Sequence, residues 1–93
     1  MSDLVLAIDQ GTTGSTVALI NAEGQLLTSV NHEFPQIFPQ PGWVEHDPEA
    51  IWDSVLKGLK AVFADGLYAV ENVAAIGITN QRETAVLWDA QTG

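Results

Sequence analysis

Apolar residues follow two kinds of spacing along this chain, and the change between them separates predicted strands from a predicted helix. Leu4 to Ile8 is apolar at every position, which is typical of a central strand covered on both faces. Ser15 to Ile20 and about Leu26 to His32 predict two further strands, with turn residues at Asn21 to Gly24 between them. The first third of the chain is therefore expected to form a three-stranded antiparallel meander.

A proline-rich loop and then a helix are predicted after the meander. Phe34 to Trp43 contains three of the four prolines, so it cannot sustain a strand ladder or a helix. Asp47 is well placed as an N-cap, with Pro48 at the first helical position, and Gly66 is expected to close the helix. The apolar residues at helical spacing, which we expect to face the core, are Ile51, Trp52, Val55, Leu59, Val62 and Phe63.

The final third predicts two more strands and an unfinished turn. Val73 to Ile78 is continuously apolar and is expected to be a second central strand, parallel to the first because a helix connects them. Thr84 to Trp88 predicts a further strand, and Asp89 to Gly93 resembles the start of a hairpin turn. One amphipathic helix cannot cover both faces of such a sheet. We therefore expect a piece of a longer protein, which on its own hides the open face by self-association.

Charge and composition exclude several classes of partner. Lys and Arg number 3 against 12 Asp and Glu, a net charge of −9, so no basic stripe exists for nucleic acid or an anionic membrane. The absence of cysteine excludes disulfides and thiolate metal sites. The apolar runs, about five residues long, are too short for a membrane span or a signal peptide. We expect one small soluble domain in the cytoplasm.

A carboxylate and a loop of glycines and hydroxyls come directly after the first strand, as Asp9-Gln10-Gly11-Thr12-Thr13-Gly14. A carboxylate fixed at a strand end can hold Mg²⁺ through its waters, and a glycine-permitted turn lets backbone N–H groups converge on phosphate oxygens. The pattern favours a metal-nucleotide site. The alternative is that Asp9 only caps a turn, while Gln10 and Ser15 either contact phosphate or are solvated turn residues.

Three segments, in the expected order, resemble the glycerol kinase branch of the FGGY carbohydrate kinases. They are residues 7–13 (AIDQGTT), 41–48 (PGWVEHDP) and 77–84 (GITNQRET). The resemblance implies an α/β fold of the ribonuclease-H-like class shared by hexokinase, actin and the Hsp70 chaperones. It also implies that residues 1–93 are the incomplete N-terminal part of the first kinase domain, with the second domain absent. Xylulokinases of the family carry a different segment where this chain has residues 80–83.

The resemblance also implies site residues and a reaction. Asp9 would orient hydrated Mg²⁺, and the amides and hydroxyls of the next segment, Thr12, Thr13 and Gly14, would contact the phosphates of ATP. Arg82 and Glu83, beyond the second central strand, would hold the polyol, although a loop salt bridge is the alternative for such a pair. The full-length protein would convert glycerol to glycerol 3-phosphate. The general base would be a later aspartate, so we expect no catalytic residue here and no turnover by the 93 residues alone.

Several alternatives stay open. Glycerol kinases usually carry an arginine where this chain has Thr16, which puts the substrate and the rate in question. The rivals are a kinase for another sugar or polyol, a non-kinase ATPase or chaperone of the same superfamily, and a plain interaction module. The full-length protein is expected to be a homo-oligomer. Trp52 is expected in the core, and Trp43 as a core aromatic that anchors the loop, with packing near the polyol cleft as its alternative. His32 and His46 are expected as ordinary hydrogen-bonded or exposed histidines.

Overall fold

A computed structural model describes residues 3–80 and 90–91. Its elements are β1 (Leu4–Gln10), β2 (Gly14–Ile20), β3 (Leu26–Glu33), α1 (Pro48–Phe63), a short 3₁₀ turn (Val70–Asn72) and β4 (Val73–Thr79). Within these residues the sheet order is β3-β2-β1-β4, with β1 antiparallel to β2 and parallel to β4. The predicted meander, helix and parallel strand are confirmed. The strand predicted at 84–88 lies outside the described residues, as does most of the turn at 89–93.

The helix begins and ends close to the predicted positions. The Asp47 side chain accepts a hydrogen bond from the Glu49 N–H at 3.0 Å, and Pro48 occupies the first turn. Gly66, at φ +74°, lies in the turn that follows Phe63. The sequence signals for both helix ends therefore act as expected.

The core lies between α1 and the β1–β3 part of the sheet. Its buried side chains are Leu6, Val17, Leu19 and Val62. Ser54 of α1 donates a hydrogen bond to Ser15 of β2 at 2.7 Å, and both residues are buried. The two readings of Ser15 as a phosphate contact or a solvated residue are therefore wrong. The hydroxyl faces the helix because Ser15 pairs with Gln10 and His32 on the core side of the sheet.

Two tryptophans expected in the core are exposed instead. Trp52 is 59% exposed and Trp43 is 55% exposed. Trp52 shares one helical stripe with Leu59 and Phe63, at spacings of seven and eleven residues. Leu59 and Phe63 of this stripe pack against the core, whereas Trp52 lies nearer the start of α1 and is exposed. Trp43 lies in the loop between β3 and α1, beyond the edge of the core.

Helix α1 does not cover β4. Residues 74–79 of β4 are all exposed, including Ile76 at 59% and Ile78 at 68%. A groove of about 430 Å³ lies between this strand and the helix, lined by Leu6, Leu59, Lys60, Phe63, Val70, Val73 and Ile76. We call it the β4 groove. No helix among the described residues is long and apolar enough to cross a membrane.

Candidate phosphate-binding site

The carboxyl ends of β1 and β4 meet at one edge of the sheet. Asp9 and Thr79 are register partners in the parallel pair, and the Thr79 hydroxyl donates a hydrogen bond to Asp9 Oδ1 at 2.9 Å. In open α/β sheets this edge is where ligands bind, because the strand ends leave a crevice lined by loops. Because β1 and β4 are parallel, as predicted, Asp9 lies at the same edge of the sheet as the end of β4.

Asp9 belongs to a polar row that crosses all four strands. Register pairing aligns Thr79, Asp9, Thr16 and Asn31, and Asn31 Nδ2 donates to Thr16 Oγ1 at 2.8 Å. Side chains alternate along a strand, and the neighbours of Asp9 on the core side pack against the helix. The row therefore lies on the sheet face opposite α1, where it is open to a ligand.

The loop between β1 and β2 is a tight turn closed by its glycines. The Gly11 N–H donates to the Gly14 carbonyl at 2.9 Å, and Gln10 Nε2 donates to the Gly11 carbonyl at 2.7 Å. Thr12 and Thr13 are exposed at its tip. Gly14 is buried against β3, and a Cβ there would lie 2.9 Å from the His32 carbonyl oxygen. The two threonines can therefore reach a ligand, while Gly14 lets β2 and β3 come close together.

The donor set at Asp9 suits a hydrated ion better than a protein-enclosed one. No group of three His, Cys, Asp or Glu side chains able to hold a metal occurs in the described part of the chain. Mg²⁺ usually keeps several waters and is held by one or two carboxylates together with phosphates of the substrate. A single exposed carboxylate beside the exposed loop of Thr12 and Thr13 fits this mode of binding.

The site is an open edge rather than a closed pocket in this chain. Asp9 and the loop line neither the β4 groove nor a cavity of about 130 Å³ between β3 and α1. His32 lines that cavity, and its Nδ1 is buried with no hydrogen-bond partner in the described residues.

Arg82 and Glu83 lie outside the described residues, so their role as polyol ligands stays a prediction.

Two residues near the loop were not predicted from the sequence. Gln36 Nε2 donates to the Thr12 carbonyl at 3.0 Å, and His46 Nε2 lies 2.6 Å from Gln36 Oε1. His46 is thus a hydrogen-bonded histidine, as expected, but it belongs to the surroundings of the loop. His46 lies inside one of the three motif segments, and this is the sequence feature that could have indicated its place near the loop.

Residues 4–93 match the model of the N-terminal domain of the FGGY family of carbohydrate kinases. The chain belongs to this family. It is 60% identical over 89 residues to a glycerol kinase of Symbiobacterium thermophilum, covering 96% of this chain and 18% of that protein. The chain thus spans about a fifth of the length of the curated relatives it matches.

Solved structures of FGGY kinases share the fold. A xyloylose kinase from Brucella ovis superposes with a TM-score of 0.87 at 27% identity, covering 95% of this chain and 18% of that one. A Plasmodium falciparum glycerol kinase solved with ADP gives 0.80 at 32% identity, covering 96% and 18%. The predicted fold class, that of actin and hexokinase, is confirmed for this FGGY chain.

Proposed function

We propose that the full-length protein is an ATP-dependent glycerol kinase, which transfers the γ-phosphoryl group of ATP to a terminal hydroxyl of glycerol and releases glycerol 3-phosphate and ADP. The 93 residues are the N-terminal part of its first domain. The observation that carries the proposal is the parallel pairing of β1 and β4, which puts Asp9 beside Thr79 at the ligand-binding edge. In the sequence, Arg82 follows Thr79 by three residues.

Glycerol is favoured over other family substrates by similarity. Glycerol kinases of Symbiobacterium thermophilum and Janthinobacterium sp. are 60% and 55% identical to this chain. The solved kinases named for xylose-type sugars or gluconate are 27% identical or less. The finer substrate assignment therefore depends on sequence identity, while the fold alone supports any FGGY kinase.

The residues of this chain bind and orient the reactants in the proposed reaction. The amides of Thr12, Thr13 and Gly14 and the hydroxyls of the two threonines contact phosphate oxygens, where fixed dipoles stabilise the charge that spreads over the transferring group. Asp9 would hold the water shell of Mg²⁺ bound with ATP, and the ion would supply charge neutralisation. Arg82 and Glu83 provide donors and an acceptor for neighbouring hydroxyls of the polyol.

The first test is substrate-dependent release of ADP by the full-length protein. We expect glycerol to support turnover, with xylulose and gluconate at least about tenfold poorer in kcat/KM, since a site built for one set of hydroxyls leaves polar groups unpaired with another. Release of ADP without any acceptor would favour a non-kinase ATPase. An unchanged melting temperature with Mg·ATP and glycerol would favour a plain interaction module.

Variants then test the proposed roles of Asp9 and Arg82. Asp9→Asn should lower kcat by about a hundredfold, as loss of one preorganised charge contact does. Arg82→Ala should raise the KM for glycerol roughly tenfold or more while leaving the KM for ATP unchanged. Glu23→Gln and Lys60→Ala, both exposed and away from the loop, are the matched controls. Equal effects of Arg82→Ala on both KM values would contradict its assignment to the polyol.

The 93 residues alone should not turn over glycerol, because the proposed general base lies later in the family's sequence. Phosphorylation of glycerol by the purified 93-residue chain would disprove this part of the proposal. We also propose that the full-length protein is cytoplasmic and forms a homo-oligomer.

A further inference from the structure

A short hairpin follows β3 and is tied to the phosphate loop. Residues 37 and 45 form an antiparallel bridge, with Ile37 N–H to Glu45 O at 2.8 Å and Glu45 N–H to Ile37 O at 2.7 Å. Its turn is closed by the Trp43 N–H donating to the Gln40 carbonyl at 3.0 Å, with Gly42 at φ +83°. Pro41 then Gly42 is the residue order of a type II turn. The proline-rich segment is thus an ordered element rather than only an extended loop.

Gln36 and His46 flank this bridge and connect it to the loop. The Gln36 amide nitrogen donates to the Thr12 carbonyl at 3.0 Å and approaches the Phe34 carbonyl at 3.4 Å. Both of those groups only accept hydrogen bonds, so the other end of the amide, Oε1, must face His46. Oε1 is itself an acceptor, and therefore His46 Nε2 carries the proton of the 2.6 Å contact.

A second contact holds the loop from the same side. The Phe34 N–H donates to the Thr13 carbonyl at 3.2 Å. The Phe34 ring is buried and meets the His46 ring edge-on, with centroids 5.2 Å apart. Three residues, Phe34, Gln36 and His46, thus hold two consecutive loop carbonyls. We call them the loop clasp.

The planar geometry of the peptide bond links the loop clasp to the direction of the loop N–H groups. A trans peptide is planar, with its C=O and the next N–H pointing in opposite directions. Holding the carbonyls of Thr12 and Thr13 toward the hairpin therefore turns the N–H groups of Thr13 and Gly14 away from it. These are amides that the proposed function assigns to the phosphates of ATP.

We infer that Gln36 and His46 are positioning residues, which preset the direction of the loop amides for the phosphates of ATP through the loop clasp. The inference rests on the proposed function for the identity of the ligand. The geometry of the clasp itself does not depend on it. The geometry of the clasp and its effect on ATP binding are therefore tested by separate measurements.

Nuclear magnetic resonance tests the geometry in the 93-residue chain, which has only two histidines. Nitrogen-15 shifts should show that Nε2 of His46 carries a proton, and His32→Gln assigns the signals. Gln36→Met should increase the picosecond-to-nanosecond mobility of the Thr13 and Gly14 amides. Gln40→Met, in the same hairpin but outside the clasp, should not. An Nδ1–H tautomer of His46, or unchanged mobility in Gln36→Met, would overturn the inference.

Kinetics test the consequence in the full-length kinase. Gln36→Met and His46→Phe should each raise the KM for ATP roughly tenfold while the KM for glycerol changes less than twofold, because only the phosphate loop loses its orientation. His46→Gln, which restores a donor at the same reach, should recover most of the loss. Equal changes in both KM values, or no difference between His46→Phe and His46→Gln, would overturn the positioning role. Absence of glycerol-dependent turnover in the wild type would instead refute the proposed function.

Discussion

The two oxygens of the Asp9 carboxylate have different surroundings. Oδ1 accepts the hydrogen bond from the Thr79 hydroxyl at 2.9 Å, whereas Oδ2 has no hydrogen-bond partner among the described residues. The hydrogen bond to Oδ1 thus restrains the rotation of the carboxylate, and Asp9 itself is exposed. In the proposed function, a carboxylate held in this way would hold the water shell of Mg²⁺ bound with ATP.

Removing the Thr79 hydroxyl should therefore weaken the response to Mg²⁺. Thr79→Val keeps the β-branched shape and removes the donor, so we expect the half-saturating Mg²⁺ concentration for the proposed kinase reaction of the full-length protein to rise roughly fivefold. That factor corresponds to the loss of about 1 kcal/mol, the usual net value of one hydrogen bond. The measurement is the initial rate over a titration of free Mg²⁺ at saturating ATP and glycerol.

Thr79→Ser is the matched control, since serine retains the hydroxyl. It should titrate with Mg²⁺ within about twofold of the wild type, well inside the shift expected for one lost hydrogen bond. If Thr79→Val and Thr79→Ser shift the titration equally, the effect comes from packing of β4 and the hydrogen bond has no positioning role.

Thr16 illustrates how a single position changes the charge of the polar row. Its hydroxyl accepts a hydrogen bond from Asn31, so a neutral pair occupies the place where the family resemblance implies an arginine. A charge-assisted bond to phosphate is worth about 1.5 to 3 kcal/mol, more than a neutral one. The chain contains only three basic residues, so any replacement cation near this row is Arg82 or lies outside these 93 residues.

At the scale of elements, α1 approaches β2 closely because Gly58 has no side chain. A Cβ built at Gly58 would lie 2.5 Å from Val17 Cγ2 and 3.1 Å from Val17 Cβ. Val17 is fully buried, and a β-branched side chain cannot move aside by rotation without losing its packing. Glycine has a low helix propensity, but at this position it allows the close contact between the helix and the sheet.

We expect Gly58→Ala to lower the free energy of unfolding of the 93-residue chain by about 1 to 2 kcal/mol. Overpacking a core usually costs about 1 to 3 kcal/mol, and the gain in helix propensity offsets up to about 1 kcal/mol. Urea unfolding followed by circular dichroism at fixed protein concentration measures the change.

Two further variants show whether contact with Val17 is the cause. Gly77→Ala is the control, because a Cβ at Gly77 meets nothing within 4 Å. In the double variant Gly58→Ala with Val17→Ala, the loss should be smaller than the sum of the two single losses. Additive losses would mean that Gly58 matters for a reason other than its approach to Val17.

Local sequence patterns predicted the elements well, but they did not predict which of them touch. Asp47 and Pro48 mark the helix start because capping is a local interaction within one turn. Trp52 was placed in the core because hydrophobicity does not reveal which half of the sheet a helix covers. Gln36 reaches Thr12 across 24 positions of the chain, and no local pattern records such a contact.

At the scale of the whole molecule, the two halves of the sheet are unequal. The half formed by β2 and β3 is covered by α1 on one face, whereas β4 is exposed from residue 74 to residue 79. The exposed surface of the β4 groove beside it is almost wholly apolar, and its lining combines Leu6, Phe63 and Ile76 with further apolar side chains and Lys60. Contiguous apolar surface of this kind marks a site of protein contact.

The 93-residue chain should therefore self-associate through β4 and the β4 groove. Analytical ultracentrifugation over a dilution series should show a dimer or larger species that dissociates on dilution, since burial of apolar surface drives the association. Ile76→Lys adds a second lysine to the groove that Lys60 already lines, at an apolar position, and should shift the chain to monomer. Leu67→Lys makes the same change at a residue that is 74% exposed and does not line the groove, so it should leave the association intact. A wild-type chain that stays monomeric at every concentration, or a Leu67→Lys variant that dissociates as fully as Ile76→Lys, would show that this face does not drive association.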